Sequence, residues 1–528
     1  MRLVPQGRFG CPAMPHQPVT RGRFLFWLPA LLLAGCAHFE PRPLAPADIA
    51  TGIEQRTLAA PELRAYLQTN LQRELVPWPP AKWDEEMLTL AAFYYHPSLD
   101  VARAQWGVAR AGVRTAGGRP NPVASVTPGY SLNPQFTSPW FPAFSLDIPV
   151  ETAGKRGYRI ARAEQLSEAA RLNLAAVAWQ VRSQLRSSLL EYAAARQRAD
   201  LLEQQLRLQE EIVALLQQRL QAGALARTEL TLPRIALARA NADFAEAARQ
   251  AAASRVRVAE ALGLAAAAIA NVEFTIPLTL SQDAGLGLTS AQARRQALLS
   301  RPDILSALSE YAASESALQL EIAKQYPDVH LSPGYQFDEG DHRWSLGLSL
   351  ELPVLNRNQG PIAEAKAKRA ETAARFLALQ AAVIAQIDSA LAARAAALDA
   401  LPRQDRLTQL AREQATAAQA LFQAGAADRL ELVSAQLEAR TSELALLAAQ
   451  FKARLAITQL EAALQLPLAA WPAPEQGRPD KPAAPPHDTG VSPASPGQAT
   501  RTSPRPRRKK RRPSHSHSRP TEPPPNQT

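Results

Sequence analysis

RWSLGLSLELPVLNRNQGPIAEAKAK (343–368) changes its period halfway along. Trp344, Leu346, Leu348, Leu350, Leu352 and Val354 alternate with Ser345, Gly347, Ser349, Glu351 and Pro353. Apolar residues on one side and small or polar residues on the other, sustained over about ten positions, is the pattern of a membrane β-barrel strand. Taken alone it also fits a half-buried strand of a soluble sheet. Beyond it the chain becomes a helix, expected over 362–422, that reverses at Gly425 and returns over 428–466. Pro402 is expected to kink or break that helix, because proline removes a backbone donor and clashes with the preceding turn.

The same order occurs earlier. Pro97-Ser-Leu-Asp-Val-Ala matches Pro302-Asp-Ile-Leu-Ser-Ala, and Pro128-Gly129-Tyr130 matches Pro333-Gly334-Tyr335. Ser145-Leu-Asp-Ile-Pro-Val matches Ser349-Leu-Glu-Leu-Pro-Val, and Gln221-Ala-Gly matches Gln423-Ala-Gly. The offsets stay between 202 and 205, so 97–264 and 302–466 are two copies of one unit. Each copy opens with a helix, near 98–117 and 303–325. Two strands follow, within about 122–150 and 328–354. In the first copy Ala124, Val126, Pro128, Tyr130 and Leu132 alternate with smaller residues, then Phe144, Leu146, Ile148 and Val150 do so. Val329, Leu331, Pro333, Tyr335 and Phe337 are their counterparts. No Pro occurs between Pro149 and Pro233, and no Gly between Gly157 and Gly223. A helix over 155–221 would run on the order of 100 Å. Its stripe of Val177, Val181, Leu185, Leu189 and Tyr192 is core packing of a helical hairpin, whose partner helix spans 226–264.

These parts constrain one another. Four strands cannot close a barrel, and an open sheet edge cannot face lipid. Three chains supply twelve strands, an even number of the kind such barrels use. The expected fold is therefore mainly α with a membrane β-barrel: a trimeric 12-stranded barrel with a long α-helical barrel below it.

The residues resemble the TolC family of outer-membrane efflux channels over about 85–470. The most specific pieces are LPVLNRNQGPIAEAKAK (352–368), its twin IPVETAGKRGYRIARAE (148–164), and the turns LQAGALARTEL (220–230) and FQAGAADRLEL (422–432). The resemblance implies a homotrimer in the outer membrane whose helical barrel crosses the periplasm to dock on a periplasmic adaptor and an inner-membrane pump. Asn356-Arg357-Asn358-Gln359-Gly360 looks most like the heavy-metal, cation-efflux branch. In the family the two hairpin tips meet the adaptor. The matching residues are Arg219, Leu220 and Gly223, and Leu421, Phe422 and Gly425. Gly at each tip also suits a plain helix C-cap with positive φ. TolC narrows its pore with two acidic residues past the second tip. Glu431 fits the first position, while the second is Ser434. A ring of three Glu431 would attract cations at the pore entrance.

The N-terminus reads as an address. Arg21 and Arg23 precede FLFWLPALLL (24–33), too short to span a bilayer, and Leu33-Ala34-Gly35-Cys36 follows. A basic start, short apolar core and small residues before a cleavage point describe a secretory signal. The last four residues resemble a bacterial lipobox. That implies a signal peptide over 1–35 and a diacylglyceryl lipid on Cys36; no cofactor or metal is expected, since no motif for either is found. Ala37 in place of Asp implies outer-membrane sorting. Met14 would start a signal of more typical length. Residues 36–96 are expected to be a linker and helical segment, and 265–301 a connector.

The chain has 528 residues and a formal charge of +11, which alone would invite a nucleic-acid partner. The excess lies at the ends. Residues 1–35 hold four Arg and no acid, and 472–528 hold 11 bases and four acids, RPRRKKRR (505–512) among them. The body between carries 44 of each sign, so a basic nucleic-acid-binding fold is excluded. The Pro-rich 472–528 tail has no apolar periodicity and is expected to be disordered. Outside the N-terminus no uninterrupted apolar run reaches 18 residues, so no membrane-spanning helix is expected. The sequence has no phosphate-binding loop, HExxH or CxxC motif, and no Ser/His/Asp grouping. Asp338, Glu339, Asp341 and His342 form a charged loop tip, expected to be a solvated surface. The function expected is a passive exit duct without enzyme activity. A type I protein-secretion duct shares the architecture. A non-conducting envelope tether is the alternative of another class, although a tether needs no duplicated strands.

Overall fold

The computed structural model describes residues 38–132, 135, 138–278, 289–338 and 340–468. Cys36, the signal segment, Glu339 and the 472–528 tail lie outside them. All described residues belong to one unit, Met1–Pro474.

Proline at the first turn, where its missing N–H costs nothing, opens three of the early helices: α1 (Pro46–Glu54), α2 (Pro61–Leu71) and, further on, α4. A two-residue strand β1 (Lys82–Trp83) leads to α3 (Glu85–Tyr95), capped by the Asp84 carboxylate accepting from the Met87 N–H at 2.8 Å. Then come α4 (Pro97–Ala116), β2 (Val123–Thr127), β3 (Ala143–Val150) and the 67-residue α5 (Lys155–Gln221). A 3-10 turn (Arg227–Leu230) precedes α6 (Thr231–Leu262), and β4 (Glu273–Phe274) pairs parallel with β1. The second copy follows with α7 (Ser290–Ser300), α8 (Pro302–Ala323), β5 (Val329–Asp338), β6 (Asp341–Leu350), the 65-residue α9 (Gln359–Gln423) and α10 (Arg429–Leu464). The duplicated order of helix, strand pair and helical hairpin is present.

Three details differ from the sequence reading. α9 runs through Pro402 without ending there. Its Ala-rich flanks are strong helix formers, α10 packs along it, and an Arg403–Asp399 ion pair spans the same turn. β2 stops at Thr127, paired with Ala143 at the start of β3. Among the described residues a Tyr130–Trp140 bridge extends the pairing. β6 stops at Leu350, paired with Val329 at the start of β5, so Leu352 and Val354 continue the alternation outside the ladder.

The four longer strands form one antiparallel sheet in the order β2-β3-β5-β6. The largest core is elsewhere. Leu63, Leu67, Trp83, Leu88 and Leu99 pack with Val181, Leu185, Leu189 and Tyr192 of α5 and Val258 and Leu262 of α6. A smaller core joins Ala297 and Ile304 to Val383 and Ile387 of α9 and Leu460 of α10. α9 also contains one 18-residue window apolar enough to cross a membrane by length and composition, of which 17% is buried within the chain.

Candidate functional site

The sheet has two unlike faces, because alternate residues point to opposite sides. On one, Val126, Phe144, Tyr335 and Trp344 stand in register across all four strands, followed by Ile148, Leu331 and Leu348. Among the described residues nothing covers this face: Trp344 is 80% exposed, Leu346 75% and Leu348 64%. The other face is small and polar. Ser145 pairs with Gly334 and Gly334 with Ser345, while Ser332 pairs with Gly347 and His330 with Ser349. Among the described residues, β2 and β6 each keep one unpaired edge. Aromatic rings gather toward the β5–β6 turn. Tyr335 lies 4.9 Å from Trp344 and 6.2 Å from Phe144, and Tyr130 lies 5.0 Å from Trp140.

At the opposite end the sheet is locked to the helices. Lys155 is buried. Its Nζ lies 2.8 Å from Asp328 Oδ1 and donates to the Tyr326 carbonyl at 2.7 Å, while the Thr152 N–H donates to the same carboxylate. Arg156 and Arg159 donate to the carbonyls of Gly117, Gly118 and Ala116, cations placed at the C-terminal end of α4. In the second copy the Asn358 amide, just before α9, donates to the Glu321 carbonyl at 2.7 Å and its carboxylate at 2.9 Å. The two strand-to-helix junctions singled out in the sequence are therefore hydrogen-bonded corners.

The hairpin tips lie about 100 Å of helix away. Gly223 (φ +73°) and Gly425 (φ +71°) make the same reversal. The Ala224 N–H donates to the Arg219 carbonyl and the Ala426 N–H to the Leu421 carbonyl, both at 2.9 Å. Gly223, Leu421 and Gly425 are exposed, while Arg219, Leu220 and Phe422 are half-buried. Arg219 is engaged, with its guanidinium 2.7 Å from the Asp428 carboxylate. Asp428 also caps α10 by accepting from the Glu431 N–H at 2.8 Å. Those hydrogen bonds, the backbone one foremost, hold the Asp428 carboxyl below its usual range. Arg429 pairs with Glu211 at 2.6 Å and stands over the Phe422 ring at 5.6 Å. Glu431 is exposed in the first turn of α10, with Ser434 exposed nearby.

Three features were not singled out from the sequence. Asp428 was legible as a helix-capping residue type directly before a helix. Arg186 of α5, which pairs with Glu461 of α10 and lies 3.0 Å from Glu85 of α3, was not, since its partners are 275 and 101 positions away. Asp147 and His330 meet on the polar face of the sheet, with His330 Nδ1 3.0 Å from Asp147 Oδ2. Among the described residues no group of three or more His, Cys, Asp or Glu side chains is placed to hold a metal ion. A groove of about 880 Å³ between α5, α6 and α10 is lined by residues such as Leu202, Asp243, Leu447 and Phe451.

Several solved structures share this fold. The outer-membrane channel OprN is 20% identical, with a TM-score of 0.61 covering 81% of this chain and 98% of its own. CusC is 19% identical, with a TM-score of 0.59 over 72% of this chain and 91% of its own. The outer membrane protein VceC of Vibrio cholerae is 21% identical, with a TM-score of 0.58 over 72% and 95%. By sequence the chain is 26% identical over 217 residues to the cobalt-zinc-cadmium resistance protein CzcC of Cupriavidus metallidurans. That match takes in 41% of this chain and spans half the length of CzcC. The family model for outer membrane efflux proteins matches residues 92–264 and 293–465, both copies of the duplicated unit, and the chain belongs to that family.

Proposed function

We propose that the chain is one third of a passive exit duct in the outer membrane, the channel component of a tripartite efflux system. The observation that carries this is the sheet: an uncovered apolar face, a Ser- and Gly-lined opposite face and two free edges. Three chains, β6 of one against β2 of the next, close a twelve-stranded barrel that turns its apolar face to lipid and its polar face to the lumen. The apolar window of α9 and the groove between α5, α6 and α10 are then contacts between neighbouring chains. Energy comes from an inner-membrane pump, reached through a periplasmic adaptor that docks at Leu220, Gly223, Leu421, Phe422 and Gly425, with Arg219 behind them. Glu431 lines the pore entrance and favours cations. The lipid on Cys36 adds an anchor, and Cys36→Ser is expected to abolish lipid attachment. The likeness to CzcC supports metal cations as cargo.

The purified protein is expected to have the mass of three chains in detergent and to conduct ions across a planar bilayer. A monomer that conducts nothing overturns the proposal.

A further inference from the structure

Among the Ser and Gly residues of the sheet's polar face stand a neighbouring carboxylate and imidazole. Asp147 on β3 and His330 on β5 stand side by side there, with His330 Nδ1 3.2 and 3.0 Å from the two Asp147 oxygens. Ser332, next on the same face, donates from Oγ to Asp147 Oδ1 at 3.3 Å. Both side chains are partly open, at 41% and 39% exposure. Their register partners carry no charge: Val123 opposite Asp147, Ser349 opposite His330 and Gly347 opposite Ser332. Toward the β5–β6 turn the next charge on this face is Arg343, level with Gln336, about 20 Å along the strand. Toward the helices, Asp328 is already paired with Lys155.

An imidazole and a carboxylate make a mixed nitrogen and oxygen donor set. It suits zinc-like divalent ions better than magnesium or calcium, which take oxygen ligands. The spacing also fits. Two ligands at about 2.0 Å on a tetrahedral centre are about 3.3 Å apart, against the 3.0 and 3.2 Å observed. An ion can replace the hydrogen bond between the pair with little movement, the ring proton residing on Nε2.

We propose that Asp147 and His330 form a low-affinity station for a divalent transition-metal ion on the lumenal wall, with Ser332 orienting the carboxylate. The proposal rests on the duct reading for its place facing the lumen. Two protein ligands leave the other coordination positions to water. The ion is held weakly enough to leave, which conduction through a site requires. Twelve strands about 4.8 Å apart, tilted as in such barrels, give a circumference on the order of 60–75 Å. The three copies are then about 20–25 Å apart along the wall, beyond the roughly 8 Å screening length at physiological salt, and each acts alone.

The test is equilibrium dialysis of Zn²⁺ against the purified full-length protein in detergent, alongside planar-bilayer currents. The wild type is expected to bind about one more Zn²⁺ per chain than His330→Gln or Asp147→Asn. His342→Gln, at the loop tip, should retain that ion, and Co²⁺ but not Mg²⁺ should compete for it. Zn²⁺ should also reduce the K⁺ current of the wild type reversibly and leave His330→Gln unaffected. Matching thermal melts show that the variants fold. Equal zinc stoichiometry in wild type and His330→Gln overturns the site. Zinc binding lost in His330→Gln, in a protein that carries no current, supports the site and overturns the duct.

Discussion

The two hairpin tips share a backbone and differ in how the returning helix starts. LQAGALARTEL (220–230) and FQAGAADRLEL (422–432) align without a gap, and Gly223 and Gly425 hold φ within 2° of each other. Three residues past the glycine, Ala226 stands where the second copy has Asp428. Asp428 caps α10, which begins at the next residue. Ala226 offers no acceptor, the chain tightens into a 3-10 turn, and α6 begins at Thr231 without a side-chain cap. The glycine sets the reversal, and one carboxylate decides whether an α-helix can start at once. Asp428 and Arg429 also supply both ion pairs that tie the second tip to the first, through Arg219 and Glu211.

The copies meet a second time in a different medium. Arg186 and Glu461 are 15% and 9% exposed at the side chain, against 42% and 54% for Arg219 and Asp428. Burial pushes the Arg186 guanidinium down and Glu85 partly restores it. Removing one partner of a buried pair strands the other charge. Arg186→Ala is expected to cost about 3 kcal/mol, whereas Arg219→Ala costs under about 1 kcal/mol. Thermal or denaturant unfolding of both variants measures the contrast, and equal losses would break it.

Next in size are the glycines. Nothing lies within 4 Å of a Cβ built on Gly223 or Gly425, so the cost of Ala there is backbone strain alone, about 1–2 kcal/mol. Gly223→Ala and Gly425→Ala should destabilise equally. A twofold difference would show that the tips are not equivalent in conformation.

Most of this architecture was legible because it is periodic or repeated. The strand alternation around Trp344, the absence of Pro and Gly over 155–221, and the matched LQAG and FQAG turns located the sheet, α5 and the tips to within a few residues. The α5 side of the large core was legible as the Val181, Leu185, Leu189 and Tyr192 stripe, but its covering by 58–99 was not, since those short elements carry no long period. Pro402 misled because propensity acts locally while packing along α10 acts over the whole helix. At the tips the exposed Leu421 was visible in the sequence. The engagement of Arg219 was not, since Asp428 lies 209 positions away.

Asp428→Ala tests the difference between the tips from the side of loss, at about 1 kcal/mol for the cap. The wild-type contribution has a pH sign. The folded carboxyl titrates below its ordinary value, so the stabilisation is complete above about pH 4 and disappears as pH falls through the lower folded value. Wild type and Asp428→Ala should therefore converge in stability in acid and separate above it. A gap independent of pH would mean that the carboxylate is not what acts.

The smallest effect is the most discriminating. Ala226→Asp gives the first tip the residue that the second has, and the Glu229 N–H stands where the Glu431 N–H stands relative to its cap. If a single acceptor is what the first copy lacks, the variant should gain about 0.5 kcal/mol. The turn at 227–230 should also extend α6 toward its own tip. Hydrogen exchange reads this locally. The amides of Thr228 and Glu229 should exchange roughly twofold more slowly, the factor that about 0.5 kcal/mol supplies. Asp at 226 also brings a carboxylate to the tip that Arg227, unlike Arg429, does not share with any ion pair among the described residues. Unchanged exchange at 228 and 229 would place the cause of the 3-10 turn in the backbone path from Leu225, and the contrast between the tips would no longer reduce to one side chain.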